Sequence, residues 1–122
     1  MPTRRSVFIV DDDLSIRTSM KRLLREHGFD AELFESAGAL LSHGKFEDAS
    51  CIVLDINLDG ESGIDLRRKL AHEGITVPVI YITGNDSPAN RSAAIESGCV
   101  GYLTKPFAAK SFIESVERAC AD

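Results

Sequence analysis

The chain has 122 residues, of which 43% are hydrophobic and 27% are charged, and its formal net charge is −5. This length suits one compact domain with its own core, and no apolar run approaches the ~20 residues that a membrane span needs. The acidic balance argues against direct nucleic-acid binding, and no signal sequence follows the N-terminal arginines, so we expect a soluble, cytoplasmic domain without membrane contact.

The first half of the chain predicts two strand–helix units and a third strand. Residues 6–10 form an apolar strand, which a helix follows with Asp13 as its N-cap. A weaker strand at residues 30–34, placed near a sheet edge, precedes a helix that Ser36 caps. Residues 51–54 form another continuous apolar strand, of the kind that is buried on both faces.

The second half of the chain continues the same alternation. A third helix, with Leu66 and Leu70 at helical spacing, precedes an apolar strand at residues 77–82. Ser87 caps the fourth helix, and a short strand near an edge, residues 100–103, precedes the last helix. Five strands that alternate with five helices predict an α/β fold with a doubly wound parallel sheet and right-handed crossovers.

The cysteines and histidines are predicted to be structural. The three cysteines contain no C-x-x-C pair, which indicates small buried residues rather than a zinc or redox site. Each histidine shortly precedes a glycine at the predicted end of a helix, where a positive charge is favourable.

Polar side chains stand at the ends of four predicted strands, where open parallel sheets bind their ligands. These residues are Asp11, Asp12, Asp55, Thr83 and Lys105. If the first and third strands are neighbours, three carboxylates meet, and their mutual repulsion would raise their pKa values or destabilise the fold. A divalent cation removes that repulsion, and Mg²⁺ suits a ligand set made only of oxygen.

A carboxylate beside a metal ion can also act as a nucleophile and form an aspartyl phosphate. Lys105 then supplies a positive charge, and Thr83 supplies a hydroxyl, for the phosphoryl oxygens. Each residue alone has an ordinary explanation as a helix cap, a turn residue, a surface lysine or a strand threonine. Together, the four strand ends favour phosphoryl chemistry.

Four segments, "IVDDD", "VLDINLDGESG", "YITG" and "GYLTKPF", resemble in this order the receiver domain of two-component response regulators, most closely the FixJ-like branch. The resemblance covers essentially the whole chain and implies one receiver domain over residues 1–122, with a flavodoxin-like (βα)5 fold and strand order 2-1-3-4-5. It also implies that Asp55 accepts a phosphoryl group from a sensor histidine kinase. The implied Mg²⁺ ligands are Asp11, Asp12, Asp55 and the main-chain carbonyl of Asn57.

The resemblance further implies that Thr83 and Lys105 bind the phosphoryl oxygens, and that the peptide bond between Lys105 and Pro106 is cis. In the family, the threonine moves toward the phosphoryl group, and the aromatic residue at the position of Tyr102 turns inward. This switch alters the surface of helix 4, strand 5 and helix 5, where a homodimer or another partner forms its contact.

Two enzyme or cofactor-binding classes share parts of this pattern. A Mg²⁺-dependent phosphatase of small phosphoesters would share the nucleophile, the lysine and the hydroxyl, but it usually carries an aspartate where this chain has Asn57, and it needs a substrate cap. A flavin-binding module would need a phosphate loop after the first strand, where carboxylates repel phosphate. We therefore expect a signalling phosphoacceptor that only phosphorylates and dephosphorylates itself, with the amides of Asn57 and Asn85 orienting the hydrolytic water.

Overall fold

The computed structural model describes residues 5–58 and 60–121, along which parallel strands and helices alternate. The strands of the main sheet are β1 (Arg5–Val10), β2 (Phe29–Phe34), β3 (Ala49–Asp55), β4 (Val79–Thr83) and β5 (Gly101–Thr104). The helices are α1 (Leu14–Glu26), α2 (Ala37–His43), α3 (Gly63–His72), α4 (Pro88–Glu96) and α5 (Ala109–Cys120).

All five strands pair in parallel in the order β2-β1-β3-β4-β5. The predicted α/β fold and strand order are therefore confirmed. The two strands of weaker hydrophobicity, β2 and β5, lie at the two edges, and the continuous apolar strands lie inside. Within the described ranges, none of the helices combines the length and apolar character needed to cross a bilayer.

Helices cover both faces of the sheet, which explains why the inner strands are apolar at consecutive positions. Phe8 and Leu54 lie in the core layer that also contains side chains of α2, α3 and α4. Their neighbours Val7 and Val53 point to the opposite layer, against α1 and α5. Successive strand residues thus supply two separate core layers.

The predicted helix starts are confirmed at the three positions where a cap was assigned. The Asp13 carboxylate accepts hydrogen bonds from the N–H groups of Ser15 and Ile16 at the start of α1. The hydroxyl oxygens of Ser36 and Ser87 likewise accept hydrogen bonds from the first turns of α2 and α4. These bonds satisfy N–H groups that have no partner within the helix.

The histidines and cysteines have structural surroundings. The three histidines lie at the last residue of a helix or one residue beyond it, as predicted: His27, His43 and His72. Cys51 is fully buried, whereas Cys99 and Cys120 are only partly buried against the two core layers. Hydrogen bonding to Cys120, together with burial, raises the pKa of the Cys51 thiol.

An element that was not predicted lies close to the site. A short antiparallel hairpin, Asn57–Leu58 with Glu61–Ser62, lies between β3 and α3. Two-residue strands are too short to show a sequence period, so the pattern of apolar residues carries no signal for them. The hairpin matters for the site because it begins two residues after the end of β3.

Candidate functional site

Asp11 lies one residue beyond β1, and its carboxylate is fully buried at the carboxyl edge of the sheet. Its N–H donates a hydrogen bond to the carbonyl oxygen of Phe34 at 3.1 Å, which extends the contact between β1 and β2. Its Oδ1 accepts a hydrogen bond from the N–H of Asp13 at 2.8 Å, and the Arg17 guanidinium donates to its carbonyl oxygen. Asp11 is therefore held through its main chain and through Oδ1, whereas Asp12 is exposed.

Asp55 is the last residue of β3, the central strand, and it is buried. Its Oδ1 accepts a hydrogen bond from the N–H of Asn57 at 2.9 Å. Because β1 and β3 are neighbours, Asp55 meets the acidic residues that follow β1. One carboxylate oxygen from each of Asp11, Asp12 and Asp55 lies within 4.8 Å of the others.

Lys105 follows β5 and reaches the same group of carboxylates. Its Nζ lies 3.0 Å from Asp55 Oδ2 and 3.0 Å from Asp11 Oδ2, and its side chain is only 19% exposed. Its N–H donates a hydrogen bond to the carbonyl oxygen of Thr83 at 2.8 Å, and its peptide bond to Pro106 is cis. Three carboxylates thus face one ammonium group, which leaves an excess of two negative charges.

The pKa shifts of Asp55 and Lys105 are consistent with an excess of negative charge at the site. Burial raises the pKa of Asp55, and the nearby Asp11 adds to the rise, although Lys105 and the N–H of Asn57 oppose it. Burial lowers the pKa of Lys105, but its contacts with the two carboxylates outweigh burial, so the net shift is upward. Lys105 is therefore positively charged at neutral pH, and it compensates the carboxylates only in part.

The acidic cluster fits a divalent metal ion. Asp11 Oδ2 is buried and receives no hydrogen bond from the described residues, although Lys105 lies at ion-pair distance. A buried carboxylate oxygen that accepts no hydrogen bond has a lone pair available to coordinate a cation. Mg²⁺ prefers oxygen ligands and commonly uses one or two carboxylates. The donor set and its net charge both match such an ion.

Thr83 ends β4 with its side chain fully buried, and two asparagines hold its hydroxyl. Thr83 Oγ1 accepts hydrogen bonds from the N–H of Asn85 at 3.0 Å and from Asn57 Nδ2 at 3.3 Å. Asn57 therefore contacts both Asp55, through its main chain, and Thr83, through its side chain. The structure thus brings the predicted residues of β1, β3, β4 and β5 to one edge of the sheet.

Gly63, which was not predicted as a site residue, lies against the main chain of Asp55. It is the first residue of α3, and its N–H donates a hydrogen bond to the carbonyl oxygen of Ile56 at 2.8 Å. A Cβ at this position would lie 2.3 Å from the carbonyl oxygen of Asp55, which is far inside van der Waals contact. A glycine between a turn and a helix can signal such a close backbone approach, but many glycines there serve only as turn residues.

Tyr102 lies on β5, away from the carboxylates, and contacts two residues that were not predicted. Its hydroxyl donates a hydrogen bond to Asp86 Oδ1 at 2.8 Å. Asp86 Oδ2 accepts a hydrogen bond from the guanidinium of Arg91 at 2.8 Å, and this guanidinium lies 4.9 Å from the centre of the Tyr102 ring. These three residues are called the Asp86 cluster below.

Known proteins share this sequence pattern and fold. Residues 7–117 match the family model described as the response regulator receiver domain. The chain is 37% identical to Nodulation protein W of Bradyrhizobium diazoefficiens over 117 residues, which covers 96% of this chain and 52% of that protein. It is 33% identical to Transcriptional regulatory protein FixJ of Rhizobium meliloti over 117 residues, which covers 96% of this chain and 57% of that protein.

A solved structure gives the same result. The crystal structure of FixJ-N superposes with a TM-score of 0.85 at 32% identity, covering 98% of this chain and 95% of that one. The chain spans about half the length of the curated relatives that it matches. The family match extends from β1 into α5 and includes all four strand ends that form the site. The chain therefore belongs to the family of response regulator receiver domains.

Proposed function

We propose that residues 1–122 form a single receiver domain that accepts a phosphoryl group on Asp55 from a sensor histidine kinase. Receiver domains of response regulators act as phosphoacceptors in signalling and interact with such kinases. The observation that carries the proposal is the position of Asp55, whose buried carboxylate ends the central strand beside Asp11, Asp12 and Lys105.

The proposed Mg²⁺ ligands are the carboxylates of Asp11, Asp12 and Asp55 and the main-chain carbonyl of Asn57. The excess of two negative charges and the open position on Asp11 Oδ2 support a divalent cation here. When bound, Mg²⁺ supplies positive charge that neutralises the carboxylates and the phosphoryl oxygens.

In the proposed reaction, an Asp55 side-chain oxygen forms a bond to phosphorus. The bond from phosphorus to the donor histidine nitrogen breaks, and the nitrogen keeps the electron pair. We propose that Lys105 balances the charge of one phosphoryl oxygen and that the Thr83 hydroxyl donates a hydrogen bond to another, which the 3.0 Å distance from Lys105 Nζ to Asp55 Oδ2 supports.

The phosphoryl group is proposed to leave by hydrolysis. A water oxygen bonds to phosphorus, the bond from Asp55 to phosphorus breaks, and inorganic phosphate is released. Asn57 and Asn85 are the proposed residues that orient this water, since both contact Thr83 at the site. Beyond these two steps, we propose no turnover of external substrates, because the position two residues after Asp55 is an amide rather than a carboxylic acid.

The proposed output is a change at the surface of α4, β5 and α5. Phosphorylation adds about 1.5 to 2 negative charges, to which Thr83 and Tyr102 respond. Ile95 on α4 is 65% exposed, and we propose that this apolar side chain takes part in a homodimer contact. Sedimentation analysis of the phosphorylated chain should show a dimer that Ile95→Asp weakens and that Leu41→Asp, at an exposed position on α2, leaves unchanged.

The test of the acceptor is intact-protein mass spectrometry after incubation with acetyl phosphate. With Mg²⁺ we expect one phosphate per chain, and with a chelator in place of Mg²⁺ we expect little or none. Asp55→Asn should remove the label, because an amide is a poor nucleophile. Asp65→Asn, which changes an exposed carboxylate on α3, is the matched control and should retain the label.

Two outcomes would contradict the proposal. A phosphate that persists in Asp55→Asn would move the acceptor to another residue. Steady release of phosphate from a generic phosphoester by the native chain would instead support the phosphatase alternative.

A further inference from the structure

The Asp86 cluster is closed, since each of its three residues contacts the other two. Both carboxylate oxygens of Asp86 are engaged, one by the Tyr102 hydroxyl and one by Arg91. The Arg91 guanidinium also lies over the Tyr102 ring at 4.9 Å, within the range of a cation–π contact. The position of Tyr102 is therefore restrained through its hydroxyl and through its ring.

The cluster is connected to the candidate site through the loop between β4 and α4. Asp86 lies in this loop, three residues after Thr83. The N–H of Asn85 donates a hydrogen bond to Thr83 Oγ1, and Asn90 on α4 donates to the carbonyl oxygen of Asn85 at 2.8 Å. A displacement of Thr83 would therefore disturb the loop residue directly before Asp86.

Contacts that exist in only one of two states stabilise that state and reduce the affinity for any ligand that favours the other. The hydrogen bond to Asp86 holds the Tyr102 hydroxyl near the exposed carboxylate of the loop. In the proposed switch, Tyr102 turns inward behind Thr83, which moves its hydroxyl away from Asp86 and breaks this bond. The Asp86 cluster thus belongs to the arrangement without a phosphoryl group.

We propose that Asp86, acting with Arg91, is a positioning residue that holds Tyr102 outward and thereby opposes the phosphorylation-dependent switch. This inference rests on the proposed function. It assigns a regulatory role to two residues outside the acidic cluster. The contact between Asp86 and Arg91 sets how strongly the unphosphorylated chain resists switching. The chemistry at Asp55 depends on the acidic cluster and Lys105 and does not involve this contact.

The test uses beryllium fluoride, an analogue of the phosphoryl group, in the presence of Mg²⁺. Fluorine NMR of the bound analogue gives its half-saturating concentration for each variant. Removing the cluster with Asp86→Ala should lower that concentration by about threefold to tenfold, the scale of one or two partly exposed polar contacts. The matched control is Asp65→Ala, which removes the exposed ion pair with Arg68 on α3 and should change nothing.

A second variant shows whether Asp86 acts through Tyr102. In a Tyr102→Phe background the hydroxyl contact is already absent and only the ring contact with Arg91 remains, so adding Asp86→Ala should have a clearly smaller effect than in the native background. An effect of the same size in both backgrounds would overturn the inference, because Asp86 would then act independently of Tyr102. So would equal affinities for the native chain and Asp86→Ala, provided that circular dichroism shows both to be folded.

The proposed function fails in a different way. Absence of a bound fluorine signal in the native chain, or a signal that persists in Asp55→Asn, would overturn both the phosphoacceptor proposal and the inference drawn from it. Normal binding by the native chain with no response to Asp86→Ala would overturn the inference alone.

Discussion

The Lys105 ammonium group lies 3.0 Å from Asp55 Oδ2, although Asp55 ends β3 and Lys105 follows β5, and these two strands are not neighbours in the sheet. The lysine reaches across the end of β4 and also contacts Asp11. Among the described contacts, Lys105 supplies the positive charge beside the buried carboxylates of Asp11 and Asp55. The stability of the metal-free fold therefore depends on this lysine.

Lys105→Met keeps the length of the side chain and removes its charge. We expect the metal-free protein to lose about 1–3 kcal/mol of unfolding free energy, because two buried carboxylates lose their counter-charge in a partly solvated site. Mg²⁺ should recover much of this loss and bind more tightly than to the native chain. Urea unfolding with and without Mg²⁺ measures both effects, and a variant that Mg²⁺ fails to stabilise would contradict the expectation.

Asp12→Ala removes the exposed member of the acidic cluster. Mg²⁺ affinity should fall about tenfold, while the metal-free protein should be as stable as the native chain or slightly more so, because like-charge repulsion is relieved. Titration calorimetry and urea unfolding measure the two quantities.

The neighbouring aspartate provides the control for Asp12. Asp13→Ala should cost about 1 kcal/mol of stability through the lost cap of α1, with little change in Mg²⁺ affinity. A metal-free Asp12→Ala chain that is clearly less stable than the native one would indicate a structural aspartate instead.

Gly63→Ala tests the close packing behind Asp55. Its Cβ would lie 2.3 Å from the carbonyl oxygen of Asp55, so the backbone must shift, at a cost of about 1–3 kcal/mol. Labelling by acetyl phosphate should fall with it, because the shift displaces Asp55. Gly38→Ala on α2, where a Cβ meets nothing closer than 3.9 Å, should instead stabilise the chain by about 0.5–1 kcal/mol.

The two tyrosines should ionise differently once Asp86 is changed. Burial raises the pKa of Tyr81. The pKa of Tyr102 is raised by burial and by the hydrogen bond to Asp86, while the positive charge of Arg91 opposes this rise. Asp86→Asn removes a negative charge beside Tyr102, so its pKa should fall while that of Tyr81 stays unchanged. Alkaline titration followed by tyrosinate absorbance measures this, and two unchanged transitions would contradict it.

These raised pKa values also set the sign of the effect on stability. The folded chain favours neutral tyrosine, so this contribution is complete below the ordinary tyrosine pKa of about 10 and is lost as the pH rises through the folded values.

The sequence predicted the positions of the acidic cluster because strand ends are easy to locate in it. Asp11 and Asp55 directly follow continuous apolar strands, and parallel strands bring their carboxyl ends to one edge. Strand order came from the family resemblance, since an alternation of strands and helices does not specify which strands are neighbours. The contact between Lys105 and both carboxylates needed this order.

Other contacts could not be predicted from the sequence. Asp86 and Arg91 are ordinary surface residues in composition, and only the folded arrangement of the β4–α4 loop, α4 and β5 brings them to Tyr102. The role of Gly63 could not be predicted either, because it depends on the distance to a backbone carbonyl rather than on a side chain. Sequence patterns report burial and periodicity, whereas these contacts depend on how turns and neighbouring segments are arranged in space.

The strand order gives Asp55 and Tyr102 different freedom to move. Asp55 ends a strand that is hydrogen-bonded on both sides, whereas Tyr102 lies on an edge strand with a single neighbour. Local opening costs least where few hydrogen bonds must break, so amide protons of β5 should exchange with solvent sooner than those of β3. In the proposed function, the covalent step then takes place on a strand with two neighbours, and the conformational change involves an edge strand.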